Sequence, residues 1–163
     1  MARDRWYVWL TGAALLFVSI GMAQRAEAQA AAAPPVSNVM SGMFTFLRDG
    51  EFVQLTVDDG QLTGFVSRFG DTESDKEEFI DHFFEKASLQ GNHLTFKTKI
   101  VHAVWYEFDG TLTTVGGKLK GEEGYRELNG KLTMHKADAS GKEQVMERTV
   151  AFKSFPDAQH MRR

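Results

Sequence analysis

Cysteine is missing from all 163 residues, and that excludes a disulfide, a thiol nucleophile and a lipid-bearing cysteine at a processed N-terminus. The folded part must hold through its core alone. A basic excess is missing too: 19 Lys and Arg stand against 22 Asp and Glu, a formal net charge of −3. Without a cationic stripe to lie along a phosphate backbone, nucleic acid is excluded as a partner. No Gly-x-Ser-x-Gly elbow exists and no Ser stands beside a predicted base, so nucleophilic catalysis has no support. None of the five histidines has a second histidine at metal-ligand spacing, and no metal or cofactor is expected. The chain reads as a non-enzyme.

A long hydrophobic run occurs once, at the start. Met1-Ala2-Arg3-Asp4-Arg5 leads into an apolar run over residues 6–23, then into the small-residue sites Ala26-Glu27-Ala28 and Ala28-Gln29-Ala30. This is the order of an export signal, cleaved after Ala28 or Ala30. An uncleaved anchor is the competing reading, because the run is just short of the roughly 20 residues a membrane-spanning helix needs. Residues 1–30 are therefore read as a signal peptide and the protein as exported, periplasmic or extracellular. Its removal takes Arg3, Arg5, Arg25, Asp4 and Glu27 and leaves a net charge of −4. Residues 31–41 form a flexible leader, 42–155 a single domain and 156–163 a tail.

From Gly42 on, short runs of Val, Thr, Phe and Tyr alternate with glycine turns such as Asp49-Gly50, Asp59-Gly60 and Gly91-Asn92. This is the pattern of antiparallel hairpins. Counting a short strand over 86–90 gives about eight strands, the number at which an all-β meander closes into a barrel. A recurrence, Gly60-Gln61-Leu62-Thr63, Gly91-Asn92-His93-Leu94-Thr95, Gly110-Thr111-Leu112-Thr113 and Gly130-Lys131-Leu132-Thr133, is read as turn-then-strand chemistry. One stretch breaks the β pattern. Ser74 and Glu77 have capping-box spacing, and Phe79, Ile80, Phe83, Phe84 and Ala87 recur at helical spacing, so a short helix is expected near 75–84. A strand competes for it, since Phe79, Asp81 and Phe83 also alternate.

Alternation assigns an inner face to Val53, Leu55 and Val57; Leu94, Phe96, Thr98 and Ile100; Val104, Tyr106, Phe108 and Leu112; Leu128, Leu132 and Met134; and Met146, Val150 and Phe152. The same parity turns Arg126 and Arg148 inward near strand ends, with Tyr106 the phenol pointing in mid-strand. Two guanidiniums and a phenol suit an anionic head group whose tail lies among the apolar positions. The alternative is that both arginines plug the barrel ends and pair with carboxylates. His82 reads as a solvated histidine sharing a helix face with Glu78. The acidic run Asp71, Glu73, Asp75, Glu77 and Glu78 fails as a calcium loop, with Lys76 where Gly is needed and His82 where Glu is needed. Trp105 and Glu107 face outward by parity, and an exposed Trp105 marks a surface for a protein partner.

The segment Val101-His102-Ala103-Val104-Trp105-Tyr106-Glu107-Phe108-Asp109-Gly110, with Gly64-Phe65-Val66-Ser67-Arg68-Phe69-Gly70-Asp71 before it and Phe152-Lys153-Ser154-Phe155-Pro156 after it, resembles a family of secreted bacterial proteins. The resemblance covers nearly the whole domain and implies no particular activity. In architecture the chain looks like the lipocalin or calycin barrels, which bind small apolar molecules. Gly42-Met43-Phe44 stands where lipocalins carry Gly-x-Trp, with Phe in place of Trp. The resemblance implies that an arginine of the last strand, Arg148, packs on that aromatic.

Three functions follow as expectations. The first is an exported barrel that binds a small apolar or amphipathic, lipophilic molecule through Tyr106, Arg126 and Arg148. The second is a cell-envelope interaction or structural module with a filled core. The third, an enzyme, rests only on His102 and Glu107 converging across a barrel mouth.

Overall fold

The computed structural model describes residues 40–71 and 75–157. The signal segment, most of the leader and the end of the tail lie outside the described residues. Eight strands follow one another, β1 (Gly42–Thr45), β2 (Phe52–Asp58), β3 (Gln61–Phe69), β4 (Phe79–Gln90), β5 (His93–Thr98), β6 (Val104–Thr114), β7 (Arg126–Ala137) and β8 (Glu143–Lys153). All pair antiparallel with their sequence neighbours in one sheet ordered β1 to β8, which curls into a half-barrel. The expected all-β meander of eight strands is the architecture found.

The helix expected near 75–84 is not there. Residues 75–78 make a tight turn, with Glu78 N–H donating to the Asp75 carbonyl at 2.9 Å, and Phe79–Gln90 is a twelve-residue strand. Phe79 and Phe83 face outward on this strand and pair across it with Phe69 and Phe65, while His82 faces in and is completely buried. Apolar residues recur on both faces of β4 because its outer side carries Phe79 and Phe83, which stay about half exposed and pack sideways against neighbouring rings of β2 and β3. Phe65 and Phe83 lie 5.3 Å apart and Phe69 and Phe79 4.5 Å apart. A strand apolar on both sides imitates a helical period, and cross-strand aromatic pairs stabilise it as a strand.

The expected inner faces hold for most of the core. Val53, Leu55, Val57, Leu94, Phe96, Thr98, Val104, Tyr106, Phe108, Leu112, Leu128, Leu132 and Phe152 are buried, and Met134 and Val150 pack against them. Ile100 and Met146 are corrections, since both are exposed. Ile100 lies past the end of β5, in the connection to β6. Met146 keeps inward parity opposite Met134, but the wall that should cover it is missing. β1 has only four residues against eleven in β8, so the two meet at a single bridge, Phe44 with Ser154, with Phe155 N–H donating to the Met43 carbonyl. Beyond that bridge the barrel seam stays open, and residues 143–149 are exposed on both faces. Just before β1, the Ser41 hydroxyl accepts from Val57 N–H at 2.9 Å and Met40 packs on the core.

Candidate functional site

The open seam is the mouth flanked by the β1–β2, β3–β4 and β7–β8 connections. A cavity of about 480 Å³ lies in it, lined by Leu47, Arg48, Glu51, Arg68, Asp71, Tyr106, Met134, Lys136, Gln144, Met146 and Arg148. The register places the near wall in three rows on one sheet face: Val104, Lys136 and Gln144; then Tyr106, Met134 and Met146; then Phe108, Leu132 and Arg148. Thioethers thus lie between two cations.

On the far wall the charges are neutralised in pairs. Glu51, only 2% exposed, accepts from Arg48 Nε at 2.8 Å and from the Phe69 backbone N–H at 3.1 Å. Arg68 is likewise buried, at 4% exposure. Its Nη1 donates to Asp71 at 2.9 Å and to the Phe69 carbonyl at 3.0 Å, and its Nε donates to His82 Nε2 at 3.2 Å. Accepting at Nε2 fixes the neutral His82 tautomer with its proton on Nδ1. Burial first, and the Arg68 charge second, push the His82 pKa down to about 4, with the Lys99 backbone acting weakly the other way. His82 is therefore a prop for Arg68 and not the solvated histidine its sequence context implies. His82 also sits edge-on to the Tyr106 ring at 5.4 Å.

Tyr106 is 2% exposed, and burial pushes its pKa up to about 12 against the opposing Arg68 charge, so its hydroxyl stays protonated. Its backbone N–H is held by the Thr98 hydroxyl at 3.0 Å. Among the described residues the phenol hydroxyl has no hydrogen-bond partner, and Lys136 and Arg148 have no ion pair. Four cations and two acids therefore line the cavity, and the two acids are already taken up by Arg48 and Arg68.

Two of the three residues singled out in the sequence, Tyr106 and Arg148, meet at this mouth; Arg126 does not. It stands at the opposite end, six residues along the ladder from the position facing Arg148, about 20 Å at ~3.4 Å per residue. There its guanidinium lies 5.5 Å over the Phe44 ring and donates to the Ser41 carbonyl at 3.0 Å. The arginine packed on the first-strand aromatic is thus Arg126 and not Arg148. The barrel-plug role fits Arg126, whose contacts include a carbonyl and a ring; Arg148 has no carboxylate partner among the described residues. Arg126→Met is accordingly expected to lower stability by about 1–3 kcal/mol, while Arg148→Met changes it by under about 0.5 kcal/mol. Paired thermal melts check this.

Residues that sequence reasoning passed over complete the site: Arg68, Arg48, Glu51 and Lys136. Arg68 carried a readable signal, a charge at inward parity between Val66 and the strand end. Elsewhere the candidates separate. Trp105 is half-buried, stacked on His135 at 4.8 Å and nearly parallel, so it offers less surface than an exposed Trp. Glu107 pairs with Lys97 at 3.0 Å, whereas His102 approaches Asp75 at 3.6 Å; they do not converge. A larger hollow of about 570 Å³ runs over the outer face, but Lys97 with Glu107 and Lys131 with Glu147 satisfy one another there. No cluster of three metal-ligating side chains occurs among the described residues. Comparison with family models, with curated proteins and with solved structures found no match.

Proposed function

We propose that the protein is an exported, non-enzymatic barrel that binds a small amphipathic molecule at this mouth. One observation carries the reading: a cavity of about 480 Å³ joins Leu47, Met134 and Met146 to a buried phenol and two cations that have no partner among the described residues. Its volume falls within the roughly 300–1,000 Å³ of small-molecule sites. The interior itself is filled, with Phe44, Phe46, Leu55, Leu94, Phe96, Phe108, Leu128 and Leu132 packed on one another, so the tail cannot enter the barrel as the lipocalin resemblance implies. The ligand lies at the mouth instead. Displacement of an anionic lipophilic dye from the purified domain tests this. Saturable dye binding that Arg148→Met weakens without lowering the melting temperature is the expected result; an unaltered dye affinity in that variant contradicts it.

A second reading, an envelope interaction module, is favoured by the outer face of β2 to β4. Phe79 and Phe83 are 52% and 54% exposed and continue a ladder of rings through Phe65 and Phe52. Such a patch on a monomer commonly marks a partner surface. It replaces Trp105 as the residue set to test: Phe83→Ser should abolish envelope-protein capture if this reading holds, and Trp105→Ala should leave it intact.

A further inference from the structure

The mouth has a polar floor beneath its apolar side chains. The polar groups are at the floor, where Tyr106, Arg68 and Glu51 are 2%, 4% and 2% exposed. The apolar groups lie higher, where Met146 is 48% exposed and Leu47 is half-buried, beside the exposed cations Arg148 and Lys136. Resting on the reading of the mouth as a binding site, we infer that its ligand enters head first: an oxyanion, carboxylate or phosphate, seated on the Arg68 and Tyr106 floor with its hydrocarbon part along Leu47, Met134 and Met146.

Three features lead to an anion rather than a neutral or cationic head. The Arg68 Nε and Nη1 are committed to His82, Phe69 and Asp71, which locks the guanidinium plane and leaves Nη2 as its remaining donor. The Tyr106 hydroxyl is a protonated donor, the more so for its burial, and on the same cavity wall it has no hydrogen-bond partner among the described residues. Arg148 and Lys136 add positive charge at the rim, and neither is ion-paired among the described residues. Glu51 is the one acid on the floor, and it is saturated: Arg48 holds it at 2.7 Å, and the backbone N–H groups of Arg48 and Phe69 each donate to it at 3.1 Å. Asp71, the second acid of the lining, is held by Arg68 at 2.9 Å, so with four cations against two paired acids a head group meets an excess of donors and of positive charge. Fixed donors in a site of low dielectric favour an anion strongly over an isosteric alcohol.

Such a site reads the head more than the tail. A chain longer than the rim stripe runs into water, so affinity should rise with chain length over the first few carbons and then level off.

Isothermal titration of the full folded domain with octanoate, octyl phosphate, octanol and octylamine tests the inference. Octanoate or octyl phosphate should bind at least about tenfold more tightly than octanol, octylamine should not bind, and whichever anion binds more tightly names the head. Arg148→Gln should weaken the anion about tenfold and leave octanol unchanged. Tyr106→Phe, which keeps the buried ring, should weaken it severalfold with little change in melting temperature. Octanol binding as tightly as octanoate would overturn the oxyanion inference while keeping the mouth as a lipophilic site. If none of the four compounds binds, both the inference and the reading beneath it fail.

Discussion

Gly130→Val is expected to lower the melting temperature by about 10–20 °C, the loss of on the order of 3–4 kcal/mol. Gly130 faces Gly110 across the β6–β7 ladder. A Cβ at Gly130 would stand 2.4 Å from the Asp109 carbonyl oxygen, 2.6 Å from Gly110 Cα and 2.9 Å from Phe108 Cζ. Two of those three neighbours are backbone, so relief requires the strands to separate, and Phe108 is a core ring only 2% exposed. Gly110→Val should behave alike, with its Cβ 2.4 Å from the Asn129 carbonyl oxygen. Gly60→Ala is the control. It has open space around it and a φ of +77°, so it loses only about 1 kcal/mol of backbone preference. Differential melts of the three variants, with far-ultraviolet dichroism to establish folding, decide the matter. A Gly130→Val protein that melts like Gly60→Ala contradicts the packing described for β6 and β7.

Those glycines also show what the sequence disclosed. Gly60 and Gly91 sit in hairpin turns with positive φ, as the recurring Gly-x-Leu-Thr pattern implies. Gly110 and Gly130 carry the same local pattern but lie inside strands, where only the partner strand makes them necessary. Local chemistry was enough to count the strands and set the parity of β2, β6 and β7, because each is apolar on one face only. β4 imitates a helix because its outer face also carries rings, which pair sideways with those of β2 and β3, and nothing within residues 79–90 announces those partners. The site divides in the same way. Tyr106 and Arg148 were legible from alternation, whereas the separation of Arg126 from Arg148 is set by the β7–β8 register, which pairs Arg148 with Leu132.

Acidification should destabilise the fold through His82. In an unfolded chain an imidazole titrates near pH 6.5, but in the folded state burial and the adjacent Arg68 charge hold His82 to about 4. Between those values the unfolded chain binds the extra proton, so stability falls as the pH falls from about 6.5 to 4 and is fully present above that window. A difference of this size corresponds to a loss of about 2 kcal/mol between pH 7 and pH 5 and about 3 kcal/mol by pH 4. Carboxylates contribute their own dependence, so the informative quantity is the difference from His82→Gln, whose amide can still accept from Arg68 Nε and does not titrate. Urea denaturation of both proteins at pH 7 and pH 5 should show the wild type losing about 2 kcal/mol more than the variant. Equal losses in the two proteins would mean that His82 is accessible and titrates normally in the folded state, contrary to its complete burial beside Arg68.

The mouth as the binding site is tested most directly by methyl-detected nuclear magnetic resonance of methionine-labelled protein titrated with octanoate. Met134 and Met146 line the cavity, whereas Met43 lies on β1, away from it. The expected result is saturable shifts of the Met134 and Met146 methyls, sharing one dissociation constant that Arg148→Gln weakens, with Met43 unmoved. Saturable binding that leaves Met134 and Met146 unmoved would place the ligand elsewhere and contradict the account.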